Sequence, residues 1–240
     1  MFERPAHRRV AALLAALDVQ VLQGSKCLFG GGTRIALELD EFRESRDLDF
    51  LIADAAGFAA LRMLVRERGC AALFHADSNL ALPREPRTDQ YAVRFPVQVE
   101  GQSLRVEFIR EARITLDPGV AVPWTGVPCL STSDCFSEKL LANSDRWPDD
   151  SVRSRDLIDL AALRIRFGEI PDAAWTKAEA AYKEAVRRDL QKASARFVGS
   201  DKLQEACFEA LGIGDQLRVD MIPVIERWAA LEAGSRTPEA

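Results

Sequence analysis

Asp47 and Asp49, in the run Arg46-Asp-Leu-Asp-Phe-Leu-Ile52, are the residues of this 240-residue chain whose types and spacing point most directly to chemistry. Residues two apart in an extended strand face the same way. The two carboxylates therefore share one face while Leu48 and Phe50 turn to the other. Aspartate is depleted in strands, and two side by side repel unless a cation lies between them. A divalent ion supplies that cation, and Mg²⁺ (or Mn²⁺) takes carboxylate oxygens together with substrate phosphates. A third acid, Glu107, sits among apolar residues in Leu104-Arg-Val-Glu-Phe108 and joins the same metal site if its strand pairs beside 47–52. Two such ions about 4 Å apart activate an attacking oxygen and stabilise a leaving pyrophosphate. Upstream, Gly30, Gly31 and Gly32 precede Thr33 and a helix. Glycines at a helix N-terminus offer unpaired backbone N–H groups to phosphate and let it approach closely. Thr33 adds a hydroxyl. Metal-assisted transfer chemistry on a nucleoside triphosphate (NTP) is the expectation, with Asp47, Asp49 and Glu107 as metal ligands.

The elements that must position these groups follow from periodicity. Residues 3–18 read as an amphipathic helix with Val10, Leu13, Leu14 and Leu17 on one face. A strand at 26–29 runs into the glycine turn, and residues 33–39 are helical in character. Residues 47–52 form a strand and 55–68 a helix closed by Gly69, with a further strand expected at 70–75. Tyr91, Val93, Phe95, Val97 and Val99 alternate with more polar residues, as do Leu104, Val106 and Phe108, so 91–109 reads as a β-hairpin. Pro118, Pro123 and Pro128 mark 112–130 as a connecting loop. From there the pattern is helical: Ser133 or Asp134 to about Asn143, then 154–167, a long helix over 172–198, 201–211 and 215–232, with a frayed tail from Gly234 to Ala240. The organisation is a mixed α/β domain over 1–130 and a helical domain over 131–240.

Composition narrows the function. The net charge of −5 rules out a surface that attracts nucleic acid as a whole, so any RNA contact needs a local basic patch. Arg187, Arg188, Lys192 and Arg196 are interspersed with acids and lack interleaved aromatics. They read as a solvated helix face rather than an RNA surface. Cys27, Cys70, Cys129, Cys135 and Cys207 lack zinc spacing, and only two histidines are present, so reduced thiols are expected. No apolar run approaches the ~20 residues of a membrane span, and the first residues lack a secretory leader. A cytoplasmic protein without a membrane partner is expected.

Two stretches carry a family resemblance. Gly31-Gly32-Thr33, followed by Arg43-x-Ser45-x-Asp47-Leu48-Asp49-Phe50, resembles the signature of the AbiEii/AbiGii family of DNA-polymerase-β-like nucleotidyltransferases. Ser137-Glu-Lys-Leu-Leu-Ala142, then Arg146, then Arg155-Asp-Leu-Ile-Asp-Leu160 resembles its later motifs: a lysine helix, then an Arg-Asp pair followed by another Asp. The likeness runs from about Cys27 to Leu163 in order and spacing, and the helices beyond 170 match only in general character. It implies an α+β fold: a polymerase-β-like domain with a mixed sheet, then an all-helical C-terminal domain completing an active-site cleft. It further implies that Asp47 and Asp49 bind metal and that Gly31, Gly32 and Thr33 hold the triphosphate with Ser45. Lys139 would contact nucleotide phosphates, Asp156 would serve as a polar or basic partner, and Arg155 and Asp159 would brace it, with Arg155 counted among the nucleotide-binding residues. The catalytic set is then Asp47, Asp49, Glu107, Lys139 and Asp156. The implied reaction moves a nucleoside monophosphate from an NTP to an acceptor hydroxyl, the tRNA 3′ end or another RNA among the acceptors. As a toxin of a type IV toxin–antitoxin or phage-defence system, the protein would have an antitoxin protein, or its gene product, as partner. The rival readings are transfer to a small-molecule or protein hydroxyl, and a non-catalytic relative that only binds NTP.

Overall fold

A computed structural model describes residues 2–78 and 80–231; the expected frayed tail lies outside them. The chain divides into two units, Met1–Thr132 and Ser133–Ala240.

In the first unit, α1 (Pro5–Ala16) starts on Pro5, where the missing N–H belongs to a group no helix satisfies anyway. The reading of one helix over 3–18 gives way to this and a second short helix, α2 (Val19–Gly24). The Asp18 carboxylate caps α2 by accepting the N–H groups of Gln20 and Val21. Then follow β1 (Leu28–Gly30), α3 (Gly31–Glu38), β2 (Leu48–Ile52) and α4 (Ala55–Arg68). Residues 70–73 form a 3-10 turn, not the expected strand, and only Phe74 makes an isolated antiparallel bridge, to Leu17. Cys70 and Leu73, three apart, are both buried, as a 3-10 turn requires, and an apolar run this short does not reveal its period.

β3 (Arg87–Thr88) precedes the hairpin of β4 (Ala92–Val99) and β5 (Gln102–Arg110), which carries the alternation seen in the sequence. The stretch expected as a loop holds a second hairpin, β6 (Val120–Val122) and β7 (Thr125–Cys129). Pro123 lies in its turn, and Pro128, in β7, falls at the register shift that interrupts pairing with β6, positions where proline breaks no ladder bond. The sheet order is β3-β4-β5-β2-β1-β7-β6, mixed because β2/β5 and β1/β7 are parallel while the other pairs are antiparallel. Phe29, Phe50 and Phe108 stand in register on β1, β2 and β5, with ring centroids 5.3 and 4.8 Å apart. They join Val10, Leu13 and Leu14 of α1 and Phe58 and Leu61 of α4 in one core.

The second unit contains α5 (Thr132–Arg146), a 3-10 turn at 150–152, α6 (Arg155–Phe167), α7 (Asp172–Tyr182), α8 (Ala185–Val198), α9 (Asp201–Leu211) and α10 (Asp215–Ala229). The long helix expected over 172–198 is two. It breaks at Lys183, whose φ is +57°, and each half buries its own stripe: Ala174, Trp175 and Ala178, then Val186, Leu190, Ala193 and Phe197. Helix propensity runs through the break, but packing overrides it. All five cysteines are buried thiols outside any disulfide, and burial pushes the Cys70 thiol up to about 12. No described helix is long and apolar enough to cross a membrane.

Candidate active site

The residue row next to Phe29, Phe50 and Phe108 reads Gly30, Asp49, Glu107, Arg94 across β1, β2, β5 and β4. Because Leu48 and Phe50 are drawn into the core, Asp49 must face the other side of the sheet. Val106 and Phe108 do the same for Glu107. The two carboxylates are thus neighbours by strand register. Gly31, the first residue of α3, has a φ of +67°, and a Cβ placed on it would overlap Asp49 Oδ2 and lie 2.8 Å from Asp49 Cβ. Only glycine allows the helix N-terminus to abut that carboxylate.

Asp47 lies just ahead of β2 and its side chain is 45% exposed. Its Oδ2 is 3.4 Å from Arg105 Nη2, while Arg105 Nε is 3.2 Å from Glu107 Oε1. One guanidinium therefore bridges two of the predicted metal ligands. Arg94 Nε adds a weaker contact to Glu107 at 3.6 Å and also pairs with Asp89 at 3.0 Å. Among the described residues, no three His, Cys, Asp or Glu side chains are arranged to hold a metal ion by themselves. The donor set still fits Mg²⁺ or Mn²⁺. These hard ions take one or two carboxylates and fill their remaining positions with substrate phosphate and water, and Asp49 beside Glu107 at the edge of a glycine cradle offers such a pair.

Gly32 and Thr33 continue the first turn of α3. Thr33 is buried, with Oγ1 2.7 Å from Ser45 Oγ, so this predicted nucleotide-binding pair is assembled. Behind it runs a relay absent from the sequence reading. The Ser45 backbone N–H donates to His7 Nε2 at 3.1 Å, and His7 Nδ1 lies 2.8 Å from Glu41 Oε1. Since Nε2 accepts, Nδ1 carries the proton and His7 is neutral. Burial holds its pKa below the ordinary 6.5, although Glu41 pulls the other way. Glu41 also accepts the backbone N–H groups of Glu3 and Arg4, at 2.5 and 2.9 Å. The available signal was a histidine on the apolar face of α1, three residues before Val10 and seven before Leu14.

In the second unit, Lys139 of α5 is buried, with Nζ 3.0 Å from Asp156 Oδ1 and 2.6 Å from Asp159 Oδ2. The two aspartates are three apart on α6 and so share a face. Arg146, two turns beyond Lys139, forks onto Asp156: Nη2 lies 2.8 and 2.7 Å from its two oxygens and Nε 3.0 Å from Oδ2. Burial raises the Asp156 pKa, but the charges and hydrogen bonds of Lys139 and Arg146 outweigh it and hold the carboxyl below its usual range. Lys139, Asp156 and Asp159 are thus brought together. Arg155 is not: its side chain makes no hydrogen bond or ion pair among the described residues.

The family model for the nucleotidyl transferase AbiEii toxin of type IV toxin–antitoxin systems matches residues 12–224. The structure is similar to that of JHP933 from Helicobacter pylori, with a TM-score of 0.55 and 15% identity over 95% of this chain and 93% of that one. It is also similar to an H. pylori protein described as a candidate nucleotidyltransferase, with a TM-score of 0.50 and 14% identity over 92% of each chain. At such identities these likenesses show the fold alone, and the fold is the mixed-sheet α+β class expected. No curated protein sequence matches the chain. The match across 12–224, far more than half the chain, establishes that the protein belongs to the AbiEii family of nucleotidyltransferase toxins.

Proposed function

We propose that the protein transfers a nucleoside monophosphate from an NTP to an acceptor hydroxyl, with Mg²⁺ or Mn²⁺ as cofactor and the tRNA 3′ end as acceptor. The single observation that carries this reading is the abutment of Gly31 on Asp49, with Glu107 next in register. The acceptor oxygen attacks the α-phosphorus and forms the new P–O bond. The bond from that phosphorus to the bridging oxygen breaks, and pyrophosphate leaves with the electron pair. Glu107 takes the proton of the hydroxyl. The first turn of α3 holds the polyphosphate on the N–H groups of Gly31, Gly32 and Thr33, and the Thr33–Ser45 pair fixes the turn. Asp47, Asp49 and Glu107 would hold the metal ion, which when bound supplies charge neutralisation at the phosphate oxygens. Catalysis then comes from positioning and electrostatics, as in other transfers to and from phosphorus. The later family motifs assign Lys139, Asp156 and Arg155 to the same reaction, Lys139 and Arg155 as nucleotide contacts and Asp156 as a polar or basic partner.

The tRNA acceptor and the antitoxin partner rest on the family likeness. The test is incubation with each labelled NTP, Mg²⁺ and total tRNA, with protein and small-molecule hydroxyls as parallel acceptors. Labelled tRNA from wild type, lost in Asp49→Asn by on the order of 10²–10³-fold, supports the reading. Label on protein or metabolite alone overturns the tRNA assignment, and equal labelling by the variant overturns the site. Induced expression should arrest growth, with relief by Asp49→Ala; harmless wild-type expression contradicts the toxin role.

A further inference from the structure

Arg34 is the anomaly among the buried charges. It is 2% exposed, and its Nε and Nη1 are shut off from solvent without a hydrogen-bond partner. It makes no ion pair among the described residues. Other buried charges are compensated: Lys139 by Asp156 and Asp159, Asp134 by Lys177, Glu111 by Arg113, and Arg43 donates to the Glu44 carbonyl. A guanidinium does not give up its proton, so the charge remains, and a buried charge without a partner is destabilising. Such a group calls for an explanation in function.

Its place supplies one. Arg34 directly follows Thr33 in the first turn of α3, the helix that opens on Gly31 and Gly32. Long helical side chains lean toward the N-terminus of their own helix, here the glycine end. A planar fork of donors suits phosphate oxygens, and the N–H groups of the same turn favour the same charge. We infer that Arg34 is a polyphosphate-binding residue whose missing partner is the β,γ-diphosphate of the NTP, the part that leaves as pyrophosphate. This rests on the nucleotidyl-transfer reading and assigns one more binding residue to it.

The test uses two readouts that a packing residue would move together and an anion receptor moves oppositely. The probe is inorganic tripolyphosphate in EDTA, followed by thermal shift and calorimetry on the full chain. Arg34→Met is expected to melt at or above the wild-type temperature while its tripolyphosphate affinity falls about ten- to a hundredfold. A variant that melts well below wild type, or that binds tripolyphosphate as wild type does, overturns the inference. Arg34→Lys, which keeps the charge and loses the planar fork, is the second variant: weakened affinity in a folded protein is expected, and unchanged affinity contradicts the assignment. Asp49→Asn separates the two claims. It should abolish transfer without weakening metal-free tripolyphosphate binding, so the Arg34 assignment can fail while transfer survives, and the converse.

Discussion

Asp47 and Glu107 in the first unit share the Arg105 guanidinium at 3.4 and 3.2 Å, and the Asp47 side chain is 45% exposed. Asp156 and Asp159 in the second unit hold Lys139 at 3.0 and 2.6 Å, with all three buried. Both groups come from motifs that the family likeness assigns to one reaction, yet their electrostatics differ in kind. Glu107 is itself buried, but Arg105 is 58% exposed and meets Asp47 in the open. An exposed, loose ion pair contributes about 0–1 kcal/mol, so the guanidinium exchanges readily for a metal ion or gives way to a phosphate. A buried, multiply bonded pair resists change, because removing one partner strands the other. The carboxylate row is open to a ligand, whereas the Lys139 cluster is paired within the protein, so a nucleotide contact by Lys139 competes with Asp156 and Asp159.

Breaking the tight group should give the largest effect on stability. Lys139→Met leaves Asp156 and Asp159 short of a partner and is expected to cost about 3–5 kcal/mol, read by urea unfolding; an unchanged midpoint would dissolve the contrast. Gly31→Ala comes next. The left-handed backbone alone costs an alanine about 1–2 kcal/mol, and the new Cβ displaces the Asp49 carboxylate. Transfer activity should therefore fall much further than stability does.

The relay behind the glycine turn predicts a pH effect of similar size. His7 is neutral when folded and faces Glu41, Arg4 and Glu44. Its folded pKa lies below 6.5, so the unfolded chain binds the extra proton first. Stability from this group is full above pH 6.5 and falls as pH drops below it, by at most about 1.4 kcal/mol per pH unit. Glu41, whose pKa is held below 4.5 by hydrogen bonds that outweigh its burial, adds a loss only at more acidic pH. Unfolding measured from pH 7.5 to 5 should show this slope in wild type and not in His7→Leu. The smallest change is expected for Arg105→Met, within about 1 kcal/mol in stability but with tighter divalent-metal binding.

How far the sequence foretells these features depends on the range of the interaction. The hairpin of β4 and β5 was legible because Val93, Phe95 and Val97 face Leu104, Val106 and Phe108 in a strict two-residue period. That Asp49 and Glu107 turn away from the core was legible for the same reason, since the strand period is local. The β6–β7 hairpin was hidden because its strands are short and prolines at tolerated positions imitate a loop. The break at Lys183 was hidden because propensity continues through it. His7 meets Glu41 and Ser45 across 34 and 38 residues, and Arg105 turns toward Asp47 from a different strand. Neither contact leaves a periodic trace.

The most direct measurement of the central claim is Mn²⁺ binding, followed by electron paramagnetic resonance or calorimetry with a non-hydrolysable NTP analogue present. Wild type should bind Mn²⁺ in a nucleotide-dependent way. Asp49→Asn should bind it on the order of tenfold or more weakly while keeping the wild-type circular dichroism spectrum. Equal Mn²⁺ affinity in the two proteins would contradict the assignment of the Asp49–Glu107 row as the metal and nucleotide site.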